Sequence, residues 1–593
     1  MRHTNTILIP SGSPVLGGGE SREGILGQGT TEQRIVAECL LTISQLRLIE
    51  SFLSDISARL RSAINPTCPI NKLPPEVLTE CFLHLAPYFP LTVGPSENQN
   101  EWIRVTHVCR YWRNVAINLS GLWDWIEFTR PEILEMYLNR SRSQQLSVCL
   151  QNVGPGYRQT VESKLKECGG VMLGMLSPLE SRIHSLVIHK DMFPLRRSCQ
   201  FLEARLPALE TLSITSNTGW ENESEDIPLA RLRPLFRGGT PHLRRLFIPE
   251  CTPWPNNDFK DLKLLCLYNQ SALEEELPEL LQMLRGSPNI EELYLRQHES
   301  SEWIEDLPPN LGPIFQARSL KRLRLHNFSP EAIVSILSTM KLQPNGVAVH
   351  ISDTAMAKDT FGEIIPLFPP GCTLGSAEKL EVFHDSTEAF GIIFCVPGGS
   401  FKICGSLSSL GDEVPAISLF GYIFKECAQN LKELWIHIID EGPGEGYILD
   451  GFSCFNLEEL FLMGSVFGDL SDRLCEVLDP RNPWIRAAPR LRTLTVQGIR
   501  EQPQLERLIE LCEQRSKTDH PLHEVSVCSM EIPPPEWMTR LCSSAPTPVE
   551  VVPGEGWHRQ MMELPEVCME WTCAGWPSWD YEIRDCIING YGY

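Results

Sequence analysis

An apolar signature recurs along most of this chain and constrains its fold more than any other feature. The signature is an apolar residue, two variable residues, an apolar residue, one variable residue and a final apolar residue. Ten copies begin at Ile183, Leu209, Leu243, Leu262, Ile290, Leu320, Leu431, Leu457, Leu491 and Leu522. Because one copy cannot bury its own apolar side, neighbouring copies are expected to stack on one another.

The spacing of the copies is typical of leucine-rich repeats, in which each copy contributes one strand and one returning helix. Two successive separations are 28 residues (290 minus 262) and 30 residues (320 minus 290). Apolar residues at helical spacing predict helices over 277–284 and 332–340. Between about 330 and 425 the signature fades, and the alternation in 347–351 and 401–404 predicts strands of irregular repeats within the same domain.

Strand alternation places a set of variable residues on the concave side of such a repeat array. Aromatic and arginine side chains often anchor binding surfaces, so this row is expected to be a ligand-binding face. It is expected to be basic near its arginines and acidic toward Glu433 and Glu459. The alternative is that Trp435 and Phe461 pack under an overlying loop or tail. The candidate target-binding residues are Arg245, Phe247, Tyr294, Arg322, Arg324, Trp435 and Phe461.

A second feature is a helical module in 70–85 and 105–128, before the repeats. Pro75 follows Leu73-Pro74 and suits the first position of a helix, because proline fixes φ and lacks only an N–H that would have no partner there. Two short helices are expected to follow, turning at Cys109-Arg110. The first helix carries more apolar surface than a unit of this size buries alone, which favours a partner-docking function.

The module resembles the F-box family, and more closely the F-box proteins abundant in mushroom-forming fungi. The matching motifs are Leu73-Pro74, Glu76-Val77-Leu78, Val108-Cys109-Arg110, Trp112-Arg113 and Leu122-Trp123, over about a tenth of the chain. The segment from 86 to 101 is longer and more polar than in the shortest members. The resemblance implies a substrate receptor of a Skp–cullin–F-box ubiquitin ligase, binding a Skp-type adaptor and, through it, a cullin. The alternative is a protein-binding scaffold without a ligase function.

The resemblance also implies which residues contact the adaptor. Leu73, Pro74 and Leu78 are expected at an exposed edge of the module, whereas Val105, Val108 and Val115 are expected in its core. The implied adaptor-binding residues are Leu73, Pro74, Val77, Leu78, Phe82 and Trp112.

Residues 31–64 show helical periodicity, and Asn65-Pro66 is expected to end the helix. Its apolar residues alternate at three- and four-residue spacing, which could form a coiled-coil seam and a homodimer. The alternative is an amphipathic helix that lies on its own chain. The seam residues are Leu46, Ile49, Leu53, Ile56, Leu60 and Ala63.

Composition narrows the classes of function. The formal net charge of −23 disfavours binding to nucleic acid or an anionic membrane. The 21 cysteines follow no disulfide framework, and the N-terminus lacks a signal-peptide core, so free thiols in the cytoplasm and/or nucleus are expected. Neither a phosphate loop nor a catalytic constellation is found, and His558, Cys568 and Cys573 match no usual zinc spacing. We therefore expect no enzyme activity, cofactor or metal.

These patterns predict an α/β chain with an N-terminal helix, a small all-α F-box and an irregular leucine-rich-repeat solenoid. The tail contains Trp557, Trp571, Trp576, Trp579 and Tyr581 and is expected to cap the last repeats. The predicted segments are 1–30, a disordered lead; 31–65, an amphipathic helix or coiled coil; 66–130, the F-box; 131–530, the solenoid; and 531–593, an aromatic-rich C-terminal cap or tail.

Overall fold

The structure is a computed structural model of the chain. The predicted lead, the polar segment from 86 to 100 and the aromatic residues of the tail lie outside the residues it describes. Those residues are 31–85, 101–127, 131–150, 179–189, 205–215, 236, 242–249, 259–270, 274, 277–298, 313–343, 346–355, 358–369, 372–384, 389–397, 399–406, 415–438, 454–464, 474–481, 488–499, 502–529, 535–544, 550–553, 562–565 and 567.

The chain divides into two compact units. The first contains the described residues up to Leu78 together with Val105–Val115, and the second contains Thr79–Arg104 and the chain from Ala116 onward. The second unit includes the described residues of 330–425, where a separate domain was not expected.

The helices before residue 120 follow the sequence expectations closely. Helix α1 is Thr31–Ile64 and ends where Asn65-Pro66 begins a 3-10 turn. After the short 3-10 helix Pro69–Lys72, Leu73 is extended and helix α2 is Pro75–Leu83. The 3-10 helix Glu101–His107 and helix α3, Arg110–Asn118, are the two short helices predicted to turn at Cys109-Arg110.

From Trp125 onward the chain is a mixed α/β structure built on a large, mostly parallel sheet. Within the described chain this sheet contains 17 strands. The strands are β1 Trp125–Glu127, β2 Leu146–Leu150, β3 Ile183–His189, β4 Thr211–Thr215, β5 Arg245–Pro249, β6 Leu264–Gln270, β7 Glu292–Gln297, β9 Arg322–His326, β11 Ala348–Ala355, β12 Lys379–His384, β13 Ala389–Val396, β14 Gly399–Ser406, β15 Glu433–Ile438, β16 Glu459–Gly464, β17 Thr493–Ile499, β18 Glu524–Ser529 and β19 Glu550–Pro553. Strands β8, Phe315–Ala317, and β10, Met340–Leu342, pair separately and in parallel.

All ten copies of the apolar signature form strands of this sheet, and their central apolar residues lie side by side. Leu186, Leu212, Leu246, Leu265, Leu293 and Leu323 are in register across β3–β7 and β9. Leu434, Leu460, Leu494 and Val525 are in register across β15–β18. Each of these side chains is at most 2% exposed, so the repeated apolar positions form the core side of the sheet.

The segment in which the signature fades joins the same sheet by a different connection. Strand β11 pairs in parallel with β9 and β14, whereas β14, β13 and β12 pair antiparallel, and β12 then pairs in parallel with β15. The strands predicted in 347–351 and 401–404 are confirmed as β11 and β14. The two antiparallel pairings were not predicted. The repeat pattern assumes a returning helix between parallel strands, whereas antiparallel strands need only a short connection.

Helices lie between many of the strands. Helix α5, Leu277–Arg285, and helix α6, Pro330–Thr339, confirm the helical runs predicted at 277–284 and 332–340, except that Met340 begins β10. Ser329 caps α6, since its Oγ accepts a hydrogen bond of 3.2 Å from the Ala332 N–H. The helices after α3 are α4 Pro131–Ser141, α5 Leu277–Arg285, α6 Pro330–Thr339, α7 Lys358–Ile364, α8 Pro415–Cys427, α9 Gln502–Ser516 and α10 Pro535–Ser544.

The sheet extends past both ends of the predicted 131–530 segment. Strand β1 begins at Trp125, within the predicted 66–130 segment, and pairs with β2. Strand β19 ends at Pro553 and pairs with β18. Parallel pairing depends on neighbouring backbone and not on the leucine signature, so the strands at each end of the sheet were missed.

An aromatic cluster lies next to the first strand. The Trp123 ring centroid is 4.8 Å from that of Trp102 and 5.1 Å from that of Tyr137, both in edge-to-face geometry. The Arg140 guanidinium lies 4.2 Å from the Trp123 ring centroid, and Trp123 Nε1 donates to the Ala116 carbonyl at 2.8 Å. Trp123 is therefore a core residue with its polar atom satisfied.

Candidate functional site

One row of side chains runs along the face of the sheet opposite the leucine core. We call it the central row. Each member pairs directly with the next across neighbouring strands, from β5 to β16. Its members, in sheet order, are Phe247, Cys266, Tyr294, Arg324, His350, Lys402, Ile393, Glu381, Trp435 and Phe461.

The structure brings all seven predicted target-binding residues to the same face. Phe247, Tyr294, Arg324, Trp435 and Phe461 belong to the central row. Arg245 and Arg322 are two residues earlier on β5 and β9, and strand alternation puts them on the same side.

The expectation that this row is an open binding surface needs correction. Arg245 is exposed and Trp435 is half-buried. The remaining five predicted target-binding residues are buried within the chain, with exposed fractions of 8% or less. They are Phe247, Tyr294, Arg322, Arg324 and Phe461.

The end of the row nearest β5 is apolar. Phe247, Cys266 and Tyr294 form one buried cluster across three neighbouring strands. The Arg324 guanidinium carbon lies 5.0 Å from the centroid of the Tyr294 ring. This geometry is a cation–π contact and joins the apolar end to the charged centre.

The centre of the row is cationic, and a buried ion pair lies beside it, two residues earlier on β7 and β9. Arg322 Nη1 lies 2.8 Å from Glu292 Oε1, and both side chains are 8% exposed. Burial, followed by the charges of Arg296 and Arg324, lowers the pKa of His326 to about 2. Protonation of His326 would place a further positive charge in a buried site close to Arg296 and Arg324. The imidazole is therefore neutral at physiological pH.

Sequence reasoning missed His350 and Lys402, which continue the row on β11 and β14. Both are buried, with exposures of 0% and 2%. Burial and the charges of Lys402 and Arg324 lower the pKa of His350 well below its ordinary value. The alternation that predicted these two strands assigns both residues to the row, but β11 and β14 lack the leucine signature from which the row was chosen.

Cys404 and His350 are the nearest approach to a catalytic pair on this face. Cys404 Sγ lies 3.7 Å from His350 Nε2 and donates to the Ile351 carbonyl at 3.7 Å. Because the His350 pKa is lowered, its imidazole is a weak base and favours a neutral thiol over a thiolate–imidazolium pair. The geometry gives no support to cysteine catalysis.

The end of the row nearest β16 is aromatic and acidic. The Trp435 and Phe461 rings are stacked, with centroids 3.9 Å apart. Trp435 Nε1 donates to Glu433 Oε1 at 2.7 Å, and Lys379 Nζ lies 2.6 Å from Glu433 Oε2. Burial and the neighbouring Glu433 raise the pKa of Glu459, in keeping with the acidic end that the sequence predicted.

A stretch of the chain's own C-terminus lies on this face, and we call residues 562–565 and 567 the tail strip. Met562 is buried in a cluster with Phe383, Ile393 and Cys395, and Trp435 packs against that cluster. Arg322 Nε donates to the Val567 carbonyl at 2.7 Å. Trp435 therefore packs against a cluster that contains Met562 of the tail, in line with the alternative for that residue, and Met463 of β16 packs against the same cluster.

The residues implied to contact an adaptor divide by exposure. Pro74 is exposed and Val77 is 43% exposed, whereas Leu73 and Trp112 are half-buried. Leu78 and Phe82, at 1% and 2% exposure, are buried. The expectation that Leu78 lies at an exposed edge is therefore wrong, because the helical turn from Pro75 points it away from solvent.

The expected core residues of this module also divide. Val105 is buried at 7% exposure and Val115 is half-buried, but Val108 is 55% exposed. Val108 lies in the break between two helices, where helical spacing no longer decides which side chains are buried.

One hydrogen bond joins the two motif-bearing stretches of the first unit, and a second lies within the later stretch. Tyr111 Oη donates to the Leu73 carbonyl at 2.7 Å. Arg113 Nε donates to the Thr106 carbonyl at 2.7 Å. The Tyr111 bond ties the backbone at Leu73, next to Pro74, to α3.

No protein-family model matches the chain, and no curated protein matches it. None of the helices in the described ranges is long and apolar enough to cross a membrane. Within those same ranges no group of three histidine, cysteine or acidic side chains could hold a metal ion, and His558, Cys568 and Cys573 lie outside them.

Proposed function

We propose that this chain is the substrate-receptor subunit of a Skp–cullin–F-box ubiquitin ligase. Residues 66–130 are the F-box that binds a Skp-type adaptor and, through it, a cullin. The sheet region is an irregular leucine-rich-repeat solenoid that binds a target protein. The chain itself has no enzyme activity; it acts by position, since binding raises the local concentration of a target lysine near the ubiquitin-charged enzyme.

The observation that carries the proposal is an exposed apolar surface on the motif residues. Pro74, Val77 and Val108 are exposed, and the Tyr111 hydrogen bond holds the carbonyl of the adjoining Leu73. Apolar residues exposed on a fixed backbone are typical of a surface that binds a partner protein. Leu78 and Phe82 are buried and do not form this surface.

Support for the repeat assignment comes from the register of the strands. The ten signature strands pair in parallel with their leucines aligned, and α5, α6 and α9 each connect consecutive or near-consecutive strands. One strand and one returning helix per repeat is the arrangement that the spacing predicted.

The test is co-purification of the full chain with the Skp-type adaptor of the same organism. Val77→Asp places a charge on an exposed position, so the fold is retained while an interface there loses about 2 kcal/mol or more, roughly 30-fold in affinity. Leu48→Asp is the matched control, because Leu48 is an apolar helix residue with 73% exposure outside the motif. We expect Val77→Asp to lose the adaptor and Leu48→Asp to keep it.

Two further results decide between the readings. If the unaltered chain does not bind the adaptor, the ligase proposal is wrong. If the adaptor binds but no bound protein accumulates when the gene is removed, the chain is a scaffold without a degradative function.

The proposal includes a homodimer formed through α1. Leu46, Ile49, Leu53 and Leu60 are each between 54% and 60% exposed on this helix. They repeat at the three- and four-residue spacing of a coiled coil, and an exposed apolar stripe of this length is stabilised by burial against a second copy.

We also place the protein in the cytoplasm and/or nucleus. The cysteines whose side chains the structure describes are free thiols, and many are buried. Free buried thiols are typical of a reducing compartment. The proposed partners do not include nucleic acid or membrane, in line with the net charge of −23.

A further inference from the structure

The tail strip contacts several strands of the sheet at once. Met562, at 1% exposure, packs on Phe383 of β12 and Ile393 of β13. At its other end, the Val567 carbonyl accepts the Arg322 hydrogen bond on β9. Strand β13 is three strands from β9, about 14 Å at the usual strand spacing, and five residues of extended chain reach about 17 Å. The two contacts are therefore within reach of one short stretch of chain.

Few chemical features of the tail strip are used in this contact. Met562 and Leu564 supply apolar side chains to the cluster, and Val567 supplies a backbone oxygen. Glu563 lies between the two apolar residues and is exposed, and its charge acts on Lys379. The tail strip therefore contacts the sheet through an apolar–acidic–apolar pattern of side chains, followed by one main-chain hydrogen-bond acceptor.

The receiving surface has matching chemistry, and we call it the tail site: Arg322, Phe383, Ile393, Trp435 and Met463. Burial lowers the pKa of Lys379, but its bond to Glu433 and the charges of Glu433 and Glu563 raise it above the ordinary value overall. Lys379 is thus a cation next to the position of the acidic residue. An aromatic and aliphatic surface flanked by cations suits any segment with the same pattern.

We propose that the tail site is where the target binds, that it recognises a short linear segment with an apolar–acidic–apolar pattern, and that the tail strip occupies it in the free chain. This inference rests on the proposed function, since it names the target chemistry and its regulation. A tethered segment acts at an effective concentration of order millimolar, so it lowers the apparent affinity for any competing segment.

The test measures binding of a fluorescent peptide of residues 561–567, MMELPEV, to the full chain by anisotropy. Met562→Asp with Leu564→Asp removes both apolar contacts of the tail strip and opens the tail site. We expect the peptide to bind this variant at least 10-fold more tightly than the unaltered chain. A peptide carrying the same two aspartates should bind neither.

A second set of variants locates the binding. With the tail strip displaced, Trp435→Ala should weaken peptide binding at least 10-fold. Phe455→Ala is the matched control, since Phe455 is an aromatic residue with 50% exposure outside the tail site, and it should leave binding unchanged. Equal peptide binding to the open and unaltered chains overturns the proposal, as does equal loss with the Trp435 and Phe455 variants.

The fold of the variants is followed by circular dichroism and thermal melting. If the double aspartate variant loses its cooperative melt, and the milder Met562→Ala shows no tighter peptide binding than the unaltered chain, the tail strip is a permanent part of the core and the proposal is wrong. The assay contains no adaptor. Failure of adaptor binding therefore refutes the ligase function alone, and failure of peptide binding with intact adaptor binding refutes this inference alone.

Discussion

Replacement of Arg322 by methionine tests whether the central row is a covered part of the molecule or an open surface. The Arg322–Glu292 pair is 2.8 Å long, with both side chains 8% exposed. Removing one partner leaves Glu292 in a place where water cannot solvate it fully. Breaking a buried pair in this way costs about 3–5 kcal/mol, and loss of the bond to the Val567 carbonyl adds about 1 kcal/mol.

The matched control is an ion pair between the residues that directly precede strands β6 and β7. Lys263 pairs with Glu291 at 2.7 Å but is 54% exposed, and Glu291 also pairs with Lys321. Lys263→Met should therefore cost only about 0.2–1 kcal/mol. Replacing both members of the buried pair, Arg322→Met with Glu292→Leu, should recover part of the loss because the buried carboxylate is removed together with its cation.

The measurement is the free energy of unfolding from urea denaturation, followed by circular dichroism. A loss of about 3 kcal/mol or more for Arg322→Met, beside 1 kcal/mol or less for Lys263→Met, supports the covered row. If the two losses are equal and small, the pair is solvated, the row is open, and the burial argument fails.

Three further predictions concern other parts of the chain. A Cβ atom at Gly405 of β14 would overlap the Thr354 carbonyl oxygen of β11, so Gly405→Ala should lower the free energy of unfolding in urea by about 1–3 kcal/mol. Gly421 on α8 has open space around it, so Gly421→Ala should raise the free energy of unfolding by about 0.5–1 kcal/mol. Burial raises the pKa of Asp124 from 3.8 to about 6, so stability from its protonated form is present below pH 4 and lost as pH rises through 6. Asp124→Asn should then raise the melting temperature at pH 7.5 but not at pH 3.5; the same change at both pH values contradicts this assignment. Leu53→Arg on α1 should reduce the mass in sedimentation equilibrium from an oligomer to a monomer, and an unaltered chain that is already monomeric excludes the proposed homodimer.

The local elements were predictable because their causes are local. Pro75 starts α2 and Asn65-Pro66 ends α1, since proline fixes the backbone without reference to distant residues. The leucine signature located ten strands, because each copy must bury the same face against its neighbour. The strand alternation also assigned the seven predicted target-binding residues to one face correctly.

Other features depended on which strands become neighbours. The sequence predicted repeats through 330–425, and the structure has β12, β13 and β14 as antiparallel neighbours within the parallel sheet. A strand of alternating apolar residues can pair in either direction, and the choice is made by connection length and packing. His350 and Lys402 belong to the central row because β11 and β14 lie between β9 and β13 in the sheet.

By itself the sequence determined where α1 ends and α2 begins, the repeated strands and the face on which the candidate binding residues lie. Only the tertiary structure decided what covers that face, because Arg322 and Val567 are 245 residues apart and no periodicity connects them. It also decided that Leu78 is buried while Val77, its neighbour, is exposed. Periodicity records which side of an element is apolar, whereas burial depends on which other surface packs against it.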